Sequence, residues 1–201
     1  MEGTHLNVET LVLGACQTNC YLVSLPGRED LLVIDPGDEP EKLLAAIGTR
    51  KPAAVLLTHG HFDHTGALSA FAGTPIYLHP ADAPMLSDAV LSACETFGAP
   101  FTPRPAATDF VEEGTRLSLA GMEIEVLHLP GHTPGGVGYR IENALFTGDT
   151  IFHRGYGRTD MPGGDFSALR ASLRRILHMH EDLILYPGHG PATTISQERG
   201  F

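Results

Sequence analysis

The sequence predicts an α/β domain in which two β-sheets face each other and helices cover their outer surfaces. Strand-like and helix-like stretches alternate in both halves of the chain, and no linker separates the halves. The 23 glycines and 15 prolines predict short elements with frequent turns. A length of 201 residues fits one domain with a full core. We therefore predict a single domain over residues 1–201.

In the first half, short apolar runs alternate with stretches of helical period. The predicted strands are residues 6–13, 20–25, 31–34, 53–57 and 75–78. The predicted helices are residues 38–47, 63–71 and 82–97. The first helix is expected to bury Leu43, Leu44 and Ile47 and to end at Gly48.

In the second half, strands joined by glycine turns precede one amphipathic helix. The predicted strands are residues 117–119, 123–129, 137–141, 144–146 and 183–186. Residues 153–165 are rich in glycine and predict an irregular segment. Residues 166–177 carry apolar side chains at helical spacing, with three arginines on the opposite side.

The charge and the cysteine content exclude several classes of protein. A formal net charge of −11 disfavours nucleic-acid binding and docking on an anionic membrane, since both require lysine and arginine. Three cysteines, Cys16, Cys20 and Cys94, are too few for a disulfide framework and are interpreted as ordinary thiols. No signal segment or membrane-length apolar run is found, which predicts a cytoplasmic protein. The oligomeric state is not predicted.

The run Thr58-His59-Gly60-His61-Phe62-Asp63-His64 is the strongest functional motif. Four potential metal ligands fall within six positions, directly after the apolar strand 53–57. Two histidines spaced by two converge on one point from an extended segment, whereas on one helix face they diverge. A solvated polar loop explains one or two of these residues but not all four.

Three later motifs share one pattern: an apolar strand, then a histidine or aspartate among glycine, proline and threonine. They are Pro130-Gly131-His132-Thr133, Thr147-Gly148-Asp149-Thr150 and Pro187-Gly188-His189-Gly190. Strand ends that meet at one sheet edge are where functional sites form. Imidazole and carboxylate ligands without thiolate suit zinc, iron or manganese.

The motifs THGHFDH, PGHT, TGDT and PGHG, in this order, resemble the metallo-β-lactamase fold family over nearly the whole chain. The resemblance implies an αββα sandwich of two mixed β-sheets flanked by helices. It also implies a site for two divalent metal ions, with zinc expected and iron or manganese as alternatives. The ligands it implies are His59, His61 and His132 for one metal, Asp63, His64 and His189 for the other, and Asp149 as the bridge.

The same resemblance implies hydrolysis by a hydroxide that bridges the two metals. Asp63 and Asp149 would be catalytic as well as metal-binding. Asp35, at the end of a predicted strand, would orient the histidine loop. An ordinary aspartate at a helix entry is an equally good interpretation of Asp35.

Residues 155–165 narrow the expected substrate. The pattern GRTD-x-PGGD resembles the short, single-domain form of glyoxalase II, or hydroxyacylglutathione hydrolase. This implies hydrolysis of a small-molecule thioester, S-lactoylglutathione, to lactate and glutathione. Arg158 and Tyr156 are the expected substrate-binding residues, and a structural pairing of Arg158 with Asp160 or Asp165 is the less favoured alternative. The chain ends at Phe201, so we expect it to lack the C-terminal helical region of longer glyoxalase II enzymes.

Other functions remain open on the same scaffold. A persulfide dioxygenase of this fold would use one iron on His59, His132 and Asp149. A lactone or β-lactam hydrolase would use the same two-metal site. The net charge of −11 disfavours a nuclease, and the complete ligand set disfavours a non-catalytic binding module.

Overall fold

A computed structural model describes residues 6–200, and its framework is a pair of mixed β-sheets stacked face to face. This confirms the predicted αββα fold class. The predicted single domain over residues 1–201 stays a prediction, because positions 1–5 and 201 lie outside the described residues.

The first sheet comes from the first half of the chain. Within the described residues its strands follow one another in chain order. They are β1 Asn7–Leu13, β2 Thr18–Ser24, β3 Asp30–Ile34, β4 Lys51–Leu56, β5 Ile76–Leu78 and β6 Asp109–Phe110. The first three strands pair antiparallel, and β3 to β6 pair parallel.

The second sheet comes from the second half and has the order β14-β13-β10-β9-β8-β7. Its strands are β7 Arg116–Leu119, β8 Met122–His128, β9 Val137–Ile141, β10 Ala144–Gly148, β13 Ile184–Pro187 and β14 Thr193–Thr194. β10 and β13 pair parallel, and the other neighbours pair antiparallel. A small hairpin, β11 Ile151–Phe152 and β12 Gly155–Tyr156, lies outside both sheets.

Helices cover the outer faces of the two sheets. The α-helices are α1 Pro40–Ile47, α2 Phe62–Thr65, α3 Cys94–Phe97, α4 Phe166–Leu177 and α5 Ile195–Glu198. Two 3₁₀ helices span Leu68–Phe71 and Pro80–Leu86. Asp165 begins α4, since its carboxylate accepts hydrogen bonds from the amides of Ser167 and Ala168.

Side-chain alternation along the strands divides the core into three apolar layers. In β3, Leu32 and Ile34 face the layer between the sheets, whereas Leu31 and Val33 face the helices. The layer between the sheets continues through Tyr21, Val126, Tyr139 and Phe146. A third layer, which includes Leu145, Ile176 and Ile195, lies between the second sheet and the helices α4 and α5.

The long predicted helix over residues 82–97 is wrong. The chain instead forms the 3₁₀ helix Pro80–Leu86, a turn, and the short helix α3. The Asp88 carboxylate accepts hydrogen bonds from the amides of Val90 (2.8 Å) and Leu91 (3.0 Å), which gives the backbone a turn in place of a helix. Ala93 then adopts a left-handed conformation, with φ 65°.

Three smaller predictions also differ from the structure. Residues 63–71 form α2 and a 3₁₀ helix, because the amide of Ala67 bonds to the carbonyl of Pro36 at 2.9 Å. The segment 153–165, predicted to be irregular, contains β12 of the small hairpin. Leu44 is 46% exposed, so the buried face of α1 consists of Leu43 and Ile47.

Among the described residues, no helix is both long enough and apolar enough to span a membrane.

The packing of α1 provides a test of the fold. Leu43→Ala should lower the free energy of unfolding by about 2–5 kcal/mol, because Leu43 is fully buried against the first sheet. The matched variant Leu44→Ala removes an exposed leucine from the same helix and should change stability by less than about 0.5 kcal/mol. Urea unfolding followed by circular dichroism measures both. Equal losses in the two variants would contradict this orientation of α1.

Candidate metal centre

The motifs predicted from the sequence meet at one edge of the sandwich. Asp35 follows β3, and the histidine run follows β4, so both lie where neighbouring parallel strands end. Asp149 follows β10, and His189 follows β13, the parallel pair of the second sheet. The carboxyl ends of parallel strands share one sheet edge, so both sheets deliver their polar residues to the same place.

Hydrogen bonds between the loops of the two sheets hold this edge together. The amide of Val137 donates to the carbonyl of Thr58 at 2.8 Å, and the hydroxyl of Tyr139 donates to the carbonyl of Leu57 at 2.9 Å. The side-chain amide of Asn19 donates to the carbonyl of Pro187 at 2.9 Å. The strand ends that carry the site therefore have little freedom to separate.

A first ligand group combines His59, His61 and His132, all buried. Each contributes one ring nitrogen, and these nitrogens lie within 4.8 Å of one another. His61 Nδ1 is 2.9 Å from His132 Nε2, although the residues are 71 positions apart in the chain. Three nitrogens at these separations are able to surround one metal ion.

A second ligand group combines Asp63, His64 and His189, and its ligand atoms also lie within 4.8 Å of one another. His189 Nε2 is 3.3 Å from Asp63 Oδ2, and His64 Nε2 is 3.6 Å from the same oxygen. These are the six residues expected from the sequence, divided into the same two groups of three.

Asp149 lies between the two groups. Its Oδ2 atom is 3.4 Å from His132 Nε2 in the first group and 3.4 Å from His189 Nε2 in the second. Its Oδ1 atom is 3.4 Å from His64 Nε2. One carboxylate that faces both groups has the position of a bridging ligand.

Several polar side-chain atoms of these residues are buried without any hydrogen-bond partner. They are His59 Nε2, His61 Nε2, His64 Nε2 and Asp149 Oδ1. A buried polar atom without a partner costs free energy, so such atoms rarely collect at one point in a folded protein. Nitrogen and carboxylate donors that face a common space fit divalent metal ions.

The imidazoles are oriented by hydrogen bonds at their other ring nitrogens. His59 Nδ1 lies 3.0 Å from the Thr58 hydroxyl, and His64 Nδ1 lies 2.9 Å from Asp35 Oδ2. His132 Nδ1 lies 2.7 Å from the carbonyl oxygen of Arg158. Metal-binding histidines typically have such partners, which set the tautomer and leave the opposite nitrogen for the metal.

Asp35 contacts the histidine loop directly, as its predicted orienting role requires, and that role stays a prediction. Its Oδ1 accepts the Thr58 amide at 2.8 Å, and its Oδ2 accepts the Thr58 hydroxyl at 2.6 Å as well as contacting His64. Asp35 also forms a compact group with His59 and His64. Because its oxygens already bind these protein groups, we assign it no metal.

Asp82 is a structural element of the centre that the sequence analysis assigned only to a helix start. Its buried carboxylate accepts hydrogen bonds from the amides of Gly60 (3.2 Å) and Gly135 (2.6 Å) and from the hydroxyl of Thr133 (2.7 Å). It thereby joins the loop of His59 and His61 to the loop of His132. Burial raises the pKa of Asp82, although these hydrogen bonds oppose the shift.

Two positions of the motifs require glycine because the backbone there lies very close to Asp149. A Cβ atom at Gly188 would lie 2.1 Å from Asp149 Oδ1, and one at Gly157 would lie 1.9 Å from the Asp149 carbonyl oxygen. Any side chain at either position would displace Asp149.

The pKa shifts divide four histidines of the centre into two pairs. Burial lowers the pKa of His59 well below its usual value, and burial together with His132 lowers that of His61 to about 3. Burial alone would raise the pKa of Asp63, but His64 and a hydrogen bond from His189 outweigh it and bring the pKa to about 2. His59 and His61 are therefore neutral and Asp63 is ionised near neutral pH, as ligation requires. Despite burial, the carboxylates Asp63 and Asp149 raise the pKa of His64 well above its usual value and that of His189 to about 10, so these two must lose a proton when a metal binds.

Cys16 lies beside the centre but does not resemble a ligand. Burial and the charge of Asp63 raise the pKa of its thiol, so the thiolate is disfavoured. Cys20 and Cys94 are buried away from solvent. The interpretation of all three cysteines as ordinary thiols agrees with these positions.

The centre opens into a cavity of about 860 Å³ with largely apolar walls. Both predicted substrate-binding residues, Arg158 and Tyr156, line this cavity. The guanidinium of Arg158 forms two 2.6 Å hydrogen bonds with the Asp160 carboxylate and lies over the Phe97 ring, 5.7 Å from its centre. Arg158 thus lines the cavity and is paired with Asp160, and its substrate-binding role stays a prediction.

The comparisons with known proteins agree with this geometry. The protein-family model described as the metallo-beta-lactamase superfamily matches residues 13–189. The chain belongs to the metallo-β-lactamase superfamily. Its fold and its cluster of histidines and aspartates are those of a metallo-hydrolase of this superfamily.

Three similar proteins cover almost the whole chain. Hydroxyacylglutathione hydrolase GloC from Haemophilus influenzae is 38% identical over 206 residues, which covers 96% of this chain and 95% of that protein. BLEG-1 B3 metallo-beta-lactamase is 36% identical with a TM-score of 0.91, over 97% of both chains. TTHA1623, solved in a di-iron-bound form, is 44% identical with a TM-score of 0.85, over 95% of this chain and 96% of that chain.

The position of Asp149 between the two ligand groups gives a prediction about metal content. Asp149→Ala should lower the retained metal from about two ions per chain to fewer than one, because both groups lose a ligand and gain like-charge repulsion. Elemental analysis after gel filtration measures the metal content. Asp109→Ala, at an exposed carboxylate of β6, is the control and should keep the full content. Full metal retention by Asp149→Ala would contradict the bridging position.

Asp82 leads to a second prediction. Asp82→Ala should lower the free energy of unfolding by about 2–4 kcal/mol, because three buried donors lose their acceptor. It should also weaken metal binding by about 10- to 100-fold, because the two histidine loops are no longer joined. The control Asp88→Ala removes an exposed aspartate nearby and should leave metal affinity unchanged. Calorimetric metal titration and urea unfolding measure the two effects, and unchanged metal affinity in Asp82→Ala would refute the positioning role.

Proposed function

We propose that this protein is a two-metal thioester hydrolase that acts on 2-hydroxyacyl thioesters, with S-lactoylglutathione as the substrate. The observation that carries the proposal is the pair of complete ligand groups, with Asp149 between them, at the bottom of an apolar cavity. Similarity to the hydroxyacylglutathione hydrolase GloC over 96% of the chain supports the choice of substrate.

In this proposal, His59, His61 and His132 would hold one divalent metal, while Asp63, His64 and His189 would hold the other. Asp149, which contacts both groups, would be available to either ion. Such ions would supply a hydroxide nucleophile near neutral pH and polarise the scissile carbonyl. Zinc is the expected metal. Because the similar protein TTHA1623 was solved in a di-iron-bound form, any test must also include iron.

The protein's own residues determine where the nucleophile stands relative to the substrate. Asp63 is ionised and accepts a 2.8 Å hydrogen bond from the Thr18 hydroxyl, so its carboxylate has a fixed orientation. Asp149 is held against Gly188 on one side and Gly157 on the other. Both carboxylates are therefore held in a preset orientation, which is a condition for positioning the reacting groups.

A thioester suits this site because the leaving group requires no acid. A thiol has a pKa near 8.5, so it departs as a thiolate with little assistance. Five candidate ligands line the cavity: His61, Asp63, His132, Asp149 and His189. The other ionisable side chains that line it among residues 6–200 are Cys16, Tyr156 and Arg158. Arg158 is paired with Asp160, and the Cys16 thiol is held protonated.

The apolar walls of the cavity, which include Phe62, Phe97 and Met161, limit the access of water to the thioester. We assign Arg158 and Tyr156 to the mouth, where they contact the thiol carrier. Tyr156 is 54% exposed and therefore free to cover a bound molecule.

The deciding experiment measures thiol release from S-lactoylglutathione by protein loaded with zinc, iron or manganese. The expected result is a kcat/KM of about 10⁴ M⁻¹s⁻¹ or more with at least one metal. Asp149→Ala should abolish the activity, and Asp109→Ala should retain it.

Two parallel measurements separate the competing functions. Oxygen uptake with glutathione persulfide and one iron per chain would establish a dioxygenase and refute the hydrolase. The similarity to BLEG-1 B3 metallo-beta-lactamase calls for a β-lactam substrate in the same assay. Faster turnover of the β-lactam than of the thioester would overturn the proposed substrate class.

A further inference from the structure

A second cavity, which we call the side cavity, adjoins the metal centre. Its volume is about 380 Å³, and it shares Cys16, Phe62 and Asp63 with the main cavity. Ala99 and Pro100 also line both cavities. The two cavities are therefore direct neighbours at the candidate ligand Asp63.

Arg104 lines the side cavity and differs from the other arginines. Its Nε atom is buried and has no hydrogen-bond partner within residues 6–200. Its backbone amide donates to the carbonyl of Leu86 at 2.7 Å, which holds the residue in place. Six arginines of the described chain pair with a carboxylate: Arg28, Arg50, Arg116, Arg140, Arg158 and Arg175.

Arg104 is partly buried beside the metal centre and pairs with no carboxylate within residues 6–200, so its guanidinium is able to bind an anion. The guanidinium is always charged and holds a carboxylate through two parallel hydrogen bonds. Exposed arginines such as Arg170 satisfy their donors with water, whereas the buried Nε of Arg104 lacks this option.

The side cavity also carries one negative group that is independent of the metal ligands. The Asp38 carboxylate lines it and accepts the Glu39 amide at 2.7 Å through Oδ1. Apart from the candidate metal ligand Asp63, the side cavity has one guanidinium and one carboxylate, and this pair matches a ligand end with one carboxylate and one ammonium group. The free end of an α-amino acid has this pair of charges.

We infer that the side cavity binds the zwitterionic amino-acid end of the substrate's thiol carrier, with its carboxylate on Arg104 and its ammonium group beside Asp38. This inference rests on the proposed thioester hydrolysis and specifies how the carrier is recognised. In glutathione the γ-glutamyl end has both charges, whereas the glycine end has a carboxylate alone.

Steady-state kinetics with thioesters whose thiol carriers differ at one end test the inference. Arg104→Gln in the metal-loaded protein should raise KM about 10- to 100-fold for S-lactoylglutathione and for S-lactoyl-γ-glutamylcysteine, with kcat within twofold. It should leave KM unchanged for S-lactoyl-N-acetylcysteinylglycine, which lacks the γ-glutamyl group. Arg104→Lys should recover part of the lost affinity, because the positive charge remains. The recovery should be incomplete, because lysine cannot form two parallel hydrogen bonds with a carboxylate. Arg170→Gln, at an exposed arginine of α4, should match the wild type with every carrier.

Thermal unfolding and metal content of each variant separate a binding defect from a folding defect. The inference would be overturned if Arg104→Gln raised KM equally for all carriers or for none of them. It would also be overturned if KM rose only for the carriers that have the glycine carboxylate.

A calorimetric titration with γ-glutamylcysteine distinguishes failure of the inference from failure of the proposed function. If the wild type hydrolyses none of the thioesters, the proposed function fails. Binding of γ-glutamylcysteine that weakens in Arg104→Gln would still support the side cavity as its site. Binding that Arg104→Gln leaves unchanged would refute it.

Discussion

The buried carboxylate of Asp35 is the interaction on which the geometry of the metal centre depends. It binds the amide and hydroxyl of Thr58 and the ring of His64, and Thr58 in turn contacts His59. One carboxylate thus orients a histidine from each ligand group. Asp35 has a left-handed backbone, with φ 52°, a conformation that costs about 1–3 kcal/mol outside glycine. The fold retains this strain at the point where the strand β3 turns towards the site.

Asp82 has the corresponding role between the loops that carry the first ligand group. Asp35 acts within the first sheet, whereas Asp82 connects the first sheet to the loop of His132 in the second. The ligands are thus supported by two buried carboxylates, neither of which we assign to a metal. Such outer contacts determine how firmly a metal site holds its geometry.

The sequence predicted those parts of the structure that depend on local pattern. Strand alternation and apolar runs located the main strands, and four motifs at strand ends identified the candidate ligand residues that the structure brings together. The contacts of Asp82 were not predictable, because its partners lie 22, 51 and 53 positions away. The helix over 82–97 failed because apolar spacing does not reveal the competing turn at Asp88. Arg104 belongs to no sequence motif, and its proposed role in binding is seen only from the cavity that it lines.

Each ligand group takes two residues from the histidine run after β4 and one from a loop of the second sheet. A metal ion in either group would therefore cross-link the two halves of the sandwich, much as a disulfide staples distant segments of a chain. By mass action, the thermal midpoint would rise with the concentration of free metal. Metal supply in the surrounding medium would then determine how long the folded molecule persists, in addition to whether it is active.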